Sequence, residues 1–307
     1  MWFFLVITNA FFLLLFARVL ARRDDREWIF NPYLLWTGRV TDGVGRFATD
    51  ILPGLPARGG ACVALLFLLA FRGALMVAAT NVKWSLTVGS TFFFHPRVGW
   101  IGAIAFSILH FAVFLVHFWG LALLVHILAE PATSRTRIRQ ALDAFATPFS
   151  RGPLWARVLA IVAVNVLLVV ALRHFAGAGV GKIRNSFTSI FHVDTPARLA
   201  AAYGGLAFLA MADVLDFARQ ALILAIFASL FAAIIQNRTI AAFFMEIQVL
   251  LLGRFSRRQF GIGMFDFTPI LFFLAVNFIY AIAITVTTLL LSKAGVLAAG
   301  AMAAQPY

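Results

Sequence analysis

Charge is scarce in this chain: only 12% of its 307 residues are Asp, Glu, Lys or Arg, while 63% are hydrophobic. So few charges cannot solvate so much apolar surface, which excludes an ordinary water-soluble fold and makes the bilayer the solvent for most of the chain. Cysteine is almost absent. Cys62 stands alone, so neither an intrachain disulfide nor a cysteine metal site can be built. Catalytic signatures are missing too: no H-E-x-x-H, no Walker sequence and no Ser/His/Asp arrangement is present. Gly177, Gly179 and Gly181 alternate, but they follow no strand and open no phosphate-binding helix. The alternating ten-residue pattern of an outer-membrane barrel is also missing, which leaves helices as the spanning element. Residues 1–20 carry no basic leader, so they read as a retained first span rather than a cleaved signal peptide.

What the chain does have is long apolar runs, several reaching the roughly 20 residues that cross a ~30 Å hydrocarbon core. Residues 2–20, 61–80, 101–129, 154–172, 217–235 and 269–291 are predicted to span, giving an all-α membrane protein with about six transmembrane helices. The run 203–235 is too long for one upright helix and carries Asp213, Asp216 and Arg219. The predicted span is therefore set after the charges, and 199–216 becomes an interfacial or re-entrant helix. Residues 81–98 and 176–198 read as connections on one side.

The other three connections share a plan. Tyr33, Trp36, Val40, Val44, Phe47 and Ile51 recur at helical spacing, with Arg39, Asp42, Arg46 and Asp50 between them and four-residue pairs along the polar face. Ile138, Leu142, Phe145 and Phe149 repeat this opposite Arg135, Arg137 and Arg139, and Ile240, Phe243, Phe244, Ile247 and Leu251 repeat it opposite Glu246 and Gln248. Each predicts an amphipathic helix on the membrane surface, followed by an arginine-bearing turn. Phe149-Ser150-Arg151 and Phe255-Ser256-Arg257 match outright. The chain thus divides into three hairpins, 1–98, 99–198 and 199–307, each with one such helix.

The formal charge of +13 follows the same division. Fourteen basic residues sit in the three amphipathic connections, against Lys83, Arg97, Lys182, Arg184 and Arg198 on the other side. Basic excess of this kind marks cytoplasmic loops rather than a nucleic-acid surface. It predicts a multi-pass inner-membrane protein with both termini outside and anionic lipid headgroups against its inner face.

The best-preserved of the three elbows is Arg254 to Pro269, RFSRRQFGIGMFDFTP. Arg257 and Arg258 anchor it, Thr268 is expected to cap the last span and Pro269 to occupy its first turn. Asp266 is expected to pair with the two arginines. A span, a short amphipathic helix, a basic turn and then Asp266-Phe267-Thr268-Pro269 opening the next span resembles the YggT (YlmG) family of small bacterial and plastid membrane proteins. Asn31-Pro32 and Ile51-Leu52-Pro53 in the first hairpin look like family features, although no tetrad follows them. The resemblance implies a non-enzymatic role in envelope organisation, osmotic tolerance or maturation of membrane complexes, with other membrane-protein subunits as partners.

Ionisable groups within the apolar runs define the candidate sites. Asp213, Asp216 and Arg219 share a helix face and read as an ion or proton site or as a salt-bridged cluster. Arg72 interrupts the second span and is expected to pair with Asp213 or Asp216, to snorkel, or to line an ion path. His110 and His117 share a face, with His126 nearly opposite, and are expected to make polar contacts between helices, as are Asn165, Asn277 and Tyr280. No metal or cofactor follows from this pattern. Three functions remain open: a scaffold or assembly subunit, a channel or transporter using Arg72, Asp213, Asp216 and Arg219, and a cofactor-holding subunit of an electron-transfer or light-harvesting assembly.

Overall fold

The computed structural model describes residues 2–20, 30–52, 54–78, 84–88, 91–95, 99–128, 136–147, 149, 152–177, 182–184, 195–257, 261–262 and 265–295. Nine helices run α1 (Trp2–Leu20), α2 (Pro32–Ile51), α3 (Ala57–Ala78), α4 (Trp100–Leu128), α5 (Arg137–Phe145), α6 (Leu154–Gly177), α7 (Pro196–Ile234), α8 (Arg238–Leu252) and α9 (Thr268–Lys293) among these residues. Four of them, α3, α4, α7 and α9, contain stretches long and apolar enough to cross a membrane.

The column of the fold is α4, whose 29 residues are apolar around the whole circumference. A helix of that kind is covered by protein or by lipid, and α4 is the most buried of the four candidate spans. Phe111, Leu115 and Phe118 pack with Phe12 and Leu15 of α1 and Leu65 and Leu69 of α3. Phe106, Leu109 and Val113 pack with Ile161 and Leu168 of α6 and Ala210 of α7. Leu121 and Val125 join Leu222 of α7, Leu250 of α8 and Val276 of α9. Two close approaches fix the geometry. A Cβ on Gly73 of α3 would sit 2.8 Å from Ile104 Cα, and one on Gly120 would meet the Val214 side chain at 2.5 Å.

The amphipathic helices are where periodicity predicts them, and their ends follow from local chemistry. Asn31 accepts from Tyr33 N at 3.0 Å to open α2, and Pro32 suits its first turn. Thr136 caps α5 through Arg139 N, and Asn237 caps α8 through Ile240 N. All three gather at one end of the bundle. Asn31 Nδ2 donates to the Arg137 carbonyl of α5 at 2.7 Å, and Tyr33 reaches Glu246 of α8 and lies tilted against Phe243, ring centres 5.2 Å apart.

The contact face of α2 differs from its apolar stripe. Leu34, Thr37, Thr41, Gly45 and Ala48 are buried, and a Cβ on Gly60 of α3 would lie 2.7 Å from the Gly45 carbonyl. Trp36, Phe47 and Ile51, residues of the apolar stripe expected to face the membrane, are each at least 60% exposed. The helix therefore has three sides: small residues toward α3, large apolar ones outward, charges on the third. Asp42 bonds Arg18 of α1 at 2.8 Å, so its carboxylate is taken across helices rather than along its own helix by Arg46.

Several expectations change. The region 199–216 is not a separate interfacial or re-entrant helix, because α7 is continuous over 39 residues. Its charges find polar partners without any break in the backbone. At about 1.5 Å per residue it is close to 60 Å long, well beyond the hydrocarbon core. The connections at the other end carry a sheet that the sequence reading does not include: β1 (Trp84–Val88), β2 (Thr91–His95) and β3 (Lys182–Arg184) pair antiparallel in that order. In the last elbow, a 3-10 turn (Gly253–Arg257) leads into β4 (Gly261–Ile262) and β5 (Phe265–Asp266). Thr268 is the first residue of α9, not its cap, and Phe267 occupies the cap position without a side-chain bond. Pro269 does lie in the first turn. Arg258, the segment 185–194 and the tail beyond 295 lie outside the described residues, as do the side chains of Arg257 and Asp266, so their expected pairing does too.

Gly73→Ala forces a methyl group against the α4 backbone, whereas Gly43→Ala on α2 meets nothing within 4 Å. The first is expected to cost roughly 1–3 kcal/mol by overpacking and the second to be neutral or to gain up to ~1 kcal/mol. Thermal unfolding of the two variants in the same detergent checks the contrast.

Candidate functional site

Two polar clusters lie among the apolar helices, one buried beside α4 and one between α7 and α9 with part of its charge exposed. The first is built on Arg72, which is 2% exposed and is the largest fully buried side chain described. Its Nε donates to Ser107 Oγ at 2.8 Å and its Nη2 to the Ser107 carbonyl at 2.5 Å. Its Nη1 reaches Asn9 Oδ1 at 2.6 Å and Thr8 Oγ1 at 3.4 Å, and the guanidinium lies 4.7 Å from the Phe12 ring centre. The expected pairing with Asp213 or Asp216 is replaced by these neutral acceptors from α1 and α4. A cation buried this deeply must have its donors filled, and dipoles from two neighbouring helices fill them.

The same network sets a neighbour's state. Arg72 claims Asn9 Oδ1, so Asn9 offers its Nδ2 to His110 Nδ1 at 3.3 Å. His110 must then accept at Nδ1, which puts the proton of the neutral ring on Nε2. Arg72, Asn9 and His110 form one hydrogen-bonded chain across α3, α1 and α4.

The second cluster lies between α7 and α9. Asp216 and Arg219 form an ion pair one turn apart, Gln220 donates to Asp216 Oδ2 at 2.7 Å, and Arg219 Nη1 donates to Asn277 Oδ1 at 2.5 Å. Tyr280 donates to Asp213 Oδ1 at 3.3 Å, and the Arg219 guanidinium lies 5.2 Å from the Phe273 ring centre. Asn277 and Tyr280 are thus interhelical hydrogen bonders, as their spacing suggested. Asn165 reaches Met211 of α7 at 3.5 Å and also bonds back to Ile161 O of its own helix. His117 touches this side of the bundle through a stacked contact with Phe217, ring centres 5.8 Å apart.

A third group sits where the amphipathic helices meet the bundle. Arg139 Nη2 lies 3.2 Å from His126 Nδ1, and Arg157 Nε donates to Gly152 O at 2.8 Å. Burial pushes the Asp143 carboxyl above its ordinary value, against the opposing pull of Arg139, His126 and Arg157. Burial also raises the Tyr33 phenol, and the Glu246 carboxylate adds to the effect. Sequence spacing gave no sign of this group or of Thr8, Asn9 and Ser107. Ser, Thr and Asn in apolar helices are the only available signal, and they are too common to single out a site.

Compared with protein-family models, with curated proteins and with solved structures, the chain matches none. Fixed donors on fixed neutral acceptors make the Arg72 cluster a clamp joining three helices. The α7–α9 cluster pairs opposite charges and keeps part of each exposed.

Asn9→Leu removes an acceptor and leaves a buried guanidinium short of a partner, an expected cost of about 2 kcal/mol. Adding Arg72→Met removes the charge that suffers, so the double variant is expected to lose less than the two single losses together. Arg72→Met and Asp216→Asn share no partner, and their losses are expected to add within roughly 0.5 kcal/mol. Chemical unfolding of the three single and two double variants in detergent measures both relations, and strong coupling of Arg72 to Asp216 would overturn this assignment.

Proposed function

We propose that this chain is a non-enzymatic scaffold or assembly subunit of a larger membrane complex. It crosses a bacterial inner membrane six times as three hairpins, with the amphipathic helices in the cytoplasm and both termini outside. The observation that carries the reading is the meeting of α2, α5 and α8 at one end of the bundle, through Asn31, Arg137, Tyr33 and Glu246. Helices joined in this way make a single platform. Trp36, Phe47 and Ile51 of α2 and Met245 and Val249 of α8 stay exposed on it, available to lipid or to a neighbouring subunit. The basic excess beside the platform supports the cytoplasmic side and contact with anionic headgroups. A role of the YggT type rests on Asp266-Phe267-Thr268-Pro269 and agrees with this reading.

A channel or transporter is the second reading, favoured by the Asp216–Arg219 ion pair midway along α7. With the Arg72 donors engaged elsewhere, that reading is confined to Asp213, Asp216 and Arg219.

Affinity extraction of the tagged chain in a mild detergent separates the two. The scaffold reading expects other membrane proteins to co-purify, and expects Trp36→Ser/Phe47→Ser to release them while the chain stays folded. A preparation free of other proteins, together with an ion flux in reconstituted vesicles that Asp216→Asn abolishes, would contradict it.

A further inference from the structure

The Asp216–Arg219 pair occupies an unusual place for charge. Arg219 bonds Asn277, which is nine residues into α9 and therefore about 14 Å along that helix, near the middle of a ~30 Å hydrocarbon core. Yet the Arg219 and Asp216 side chains remain 28% and 30% exposed. Around a membrane protein at that depth, an exposed edge faces lipid tails rather than water, and ionised groups are strongly disfavoured there. Arg219 Nε adds a second sign of incompleteness, since it is shielded from solvent and has no hydrogen-bond partner among the described residues. Next to the pair are Gln220 and, further along the same face of α7, Phe227 at 68% exposure; α9 adds Leu274 and Phe278. The monomer thus presents a charged, partly satisfied centre in an apolar surround.

We propose that this α7–α9 face is the contact through which two copies of the chain associate within the membrane. The pair is self-complementary: a negative and a positive side chain lie one turn apart on the same face. A two-fold axis along the membrane normal sets α7 beside α7 of the second copy, in parallel. Arg219 of each copy is then one turn in height from Asp216 of the other, within reach of a long side chain. Each charge gains a second opposite neighbour, and the exposed edges are covered. This is an isologous contact, closed at two copies. Small adjustments suffice, since Arg219 already lies at the surface. The inference stands apart from the scaffold reading: self-association says nothing of other subunits, and loss of either leaves the other intact.

Disulfide cross-linking in native membranes tests it. In a chain with Cys62→Ala, Phe227→Cys is expected to yield a linked dimer several-fold more efficiently than Leu167→Cys, which is 66% exposed but lies on α6. Asp216→Arg is expected to suppress the product, and Asp216→Arg/Arg219→Asp to restore it. Should the reversed variants fail to accumulate, the mass of the wild-type chain in lipid nanodiscs decides, two copies supporting the proposal and one overturning it. Equal cross-linking at positions 227 and 167 would overturn it, as would a Phe227→Cys product indifferent to Asp216→Arg. A linked product with a different protein would assign the face to another subunit, and a monomer with an Asp216-dependent flux would assign it to a water-filled groove. Either result contradicts the proposal.

Discussion

The helix α4 is apolar nearly all round and is the most buried of the four candidate spans, and the other helices are arranged around it. Its neighbours come close because small residues let them: Gly73 admits the α4 backbone, and Gly120 admits Val214 of α7. Around this column stand α1 and α3 on one flank, α6 and α7 on another, and α8 with α9 toward one end. Shape alone does not explain the order, since lipid tails would satisfy the same apolar faces. Polar atoms inside the bundle supply direction and register. Arg72 can be satisfied only when Asn9 and Ser107 both face it, so one guanidinium fixes α1 and α3 against α4.

The two ends of the bundle are closed by different chemistry. At one end three amphipathic helices interlock, and at the other β2 joins β1 to β3 across two connections far apart in sequence. The alternation of helix ends between these closures supports the proposed six crossings, including α1 and α6. Seen this way, the Asp216–Arg219 pair is the exception. Arg72 has been drawn fully inside, whereas this pair has been left at an outer face, and the proposed self-association follows from that contrast.

Apolar runs and helical periodicity made much of this readable beforehand. The limits of α4 and the existence of α2, α5 and α8 follow from side-chain spacing, and Asn277 and Tyr280 follow from polar residues set three apart in a span. The partners of Arg72 were not readable, because Asn9 and Ser107 are neutral, common residues 63 and 35 positions away. Charge matching pointed instead to the carboxylates of α7, which have closer partners of their own. The continuity of α7 was missed for a related reason. Its charges suggested a membrane boundary, but Asn277, Gln220 and Tyr280 let them sit along the middle of the helix. The contact face of α2 escaped because Thr37, Thr41 and Gly45 carry little hydrophobic signal, while close packing favours them.

The central claim is that α2, α5 and α8 form one platform on a single side of the membrane, joined by six crossings. Labelling with a membrane-impermeant maleimide tests it most directly, using single cysteines in place of the exposed Arg46, Gln140, Arg238 and Thr195 in a chain with Cys62→Ala. The account predicts that the first three react from one and the same side and Thr195→Cys from the other. Reaction of any one of the three from the side of Thr195→Cys would contradict it.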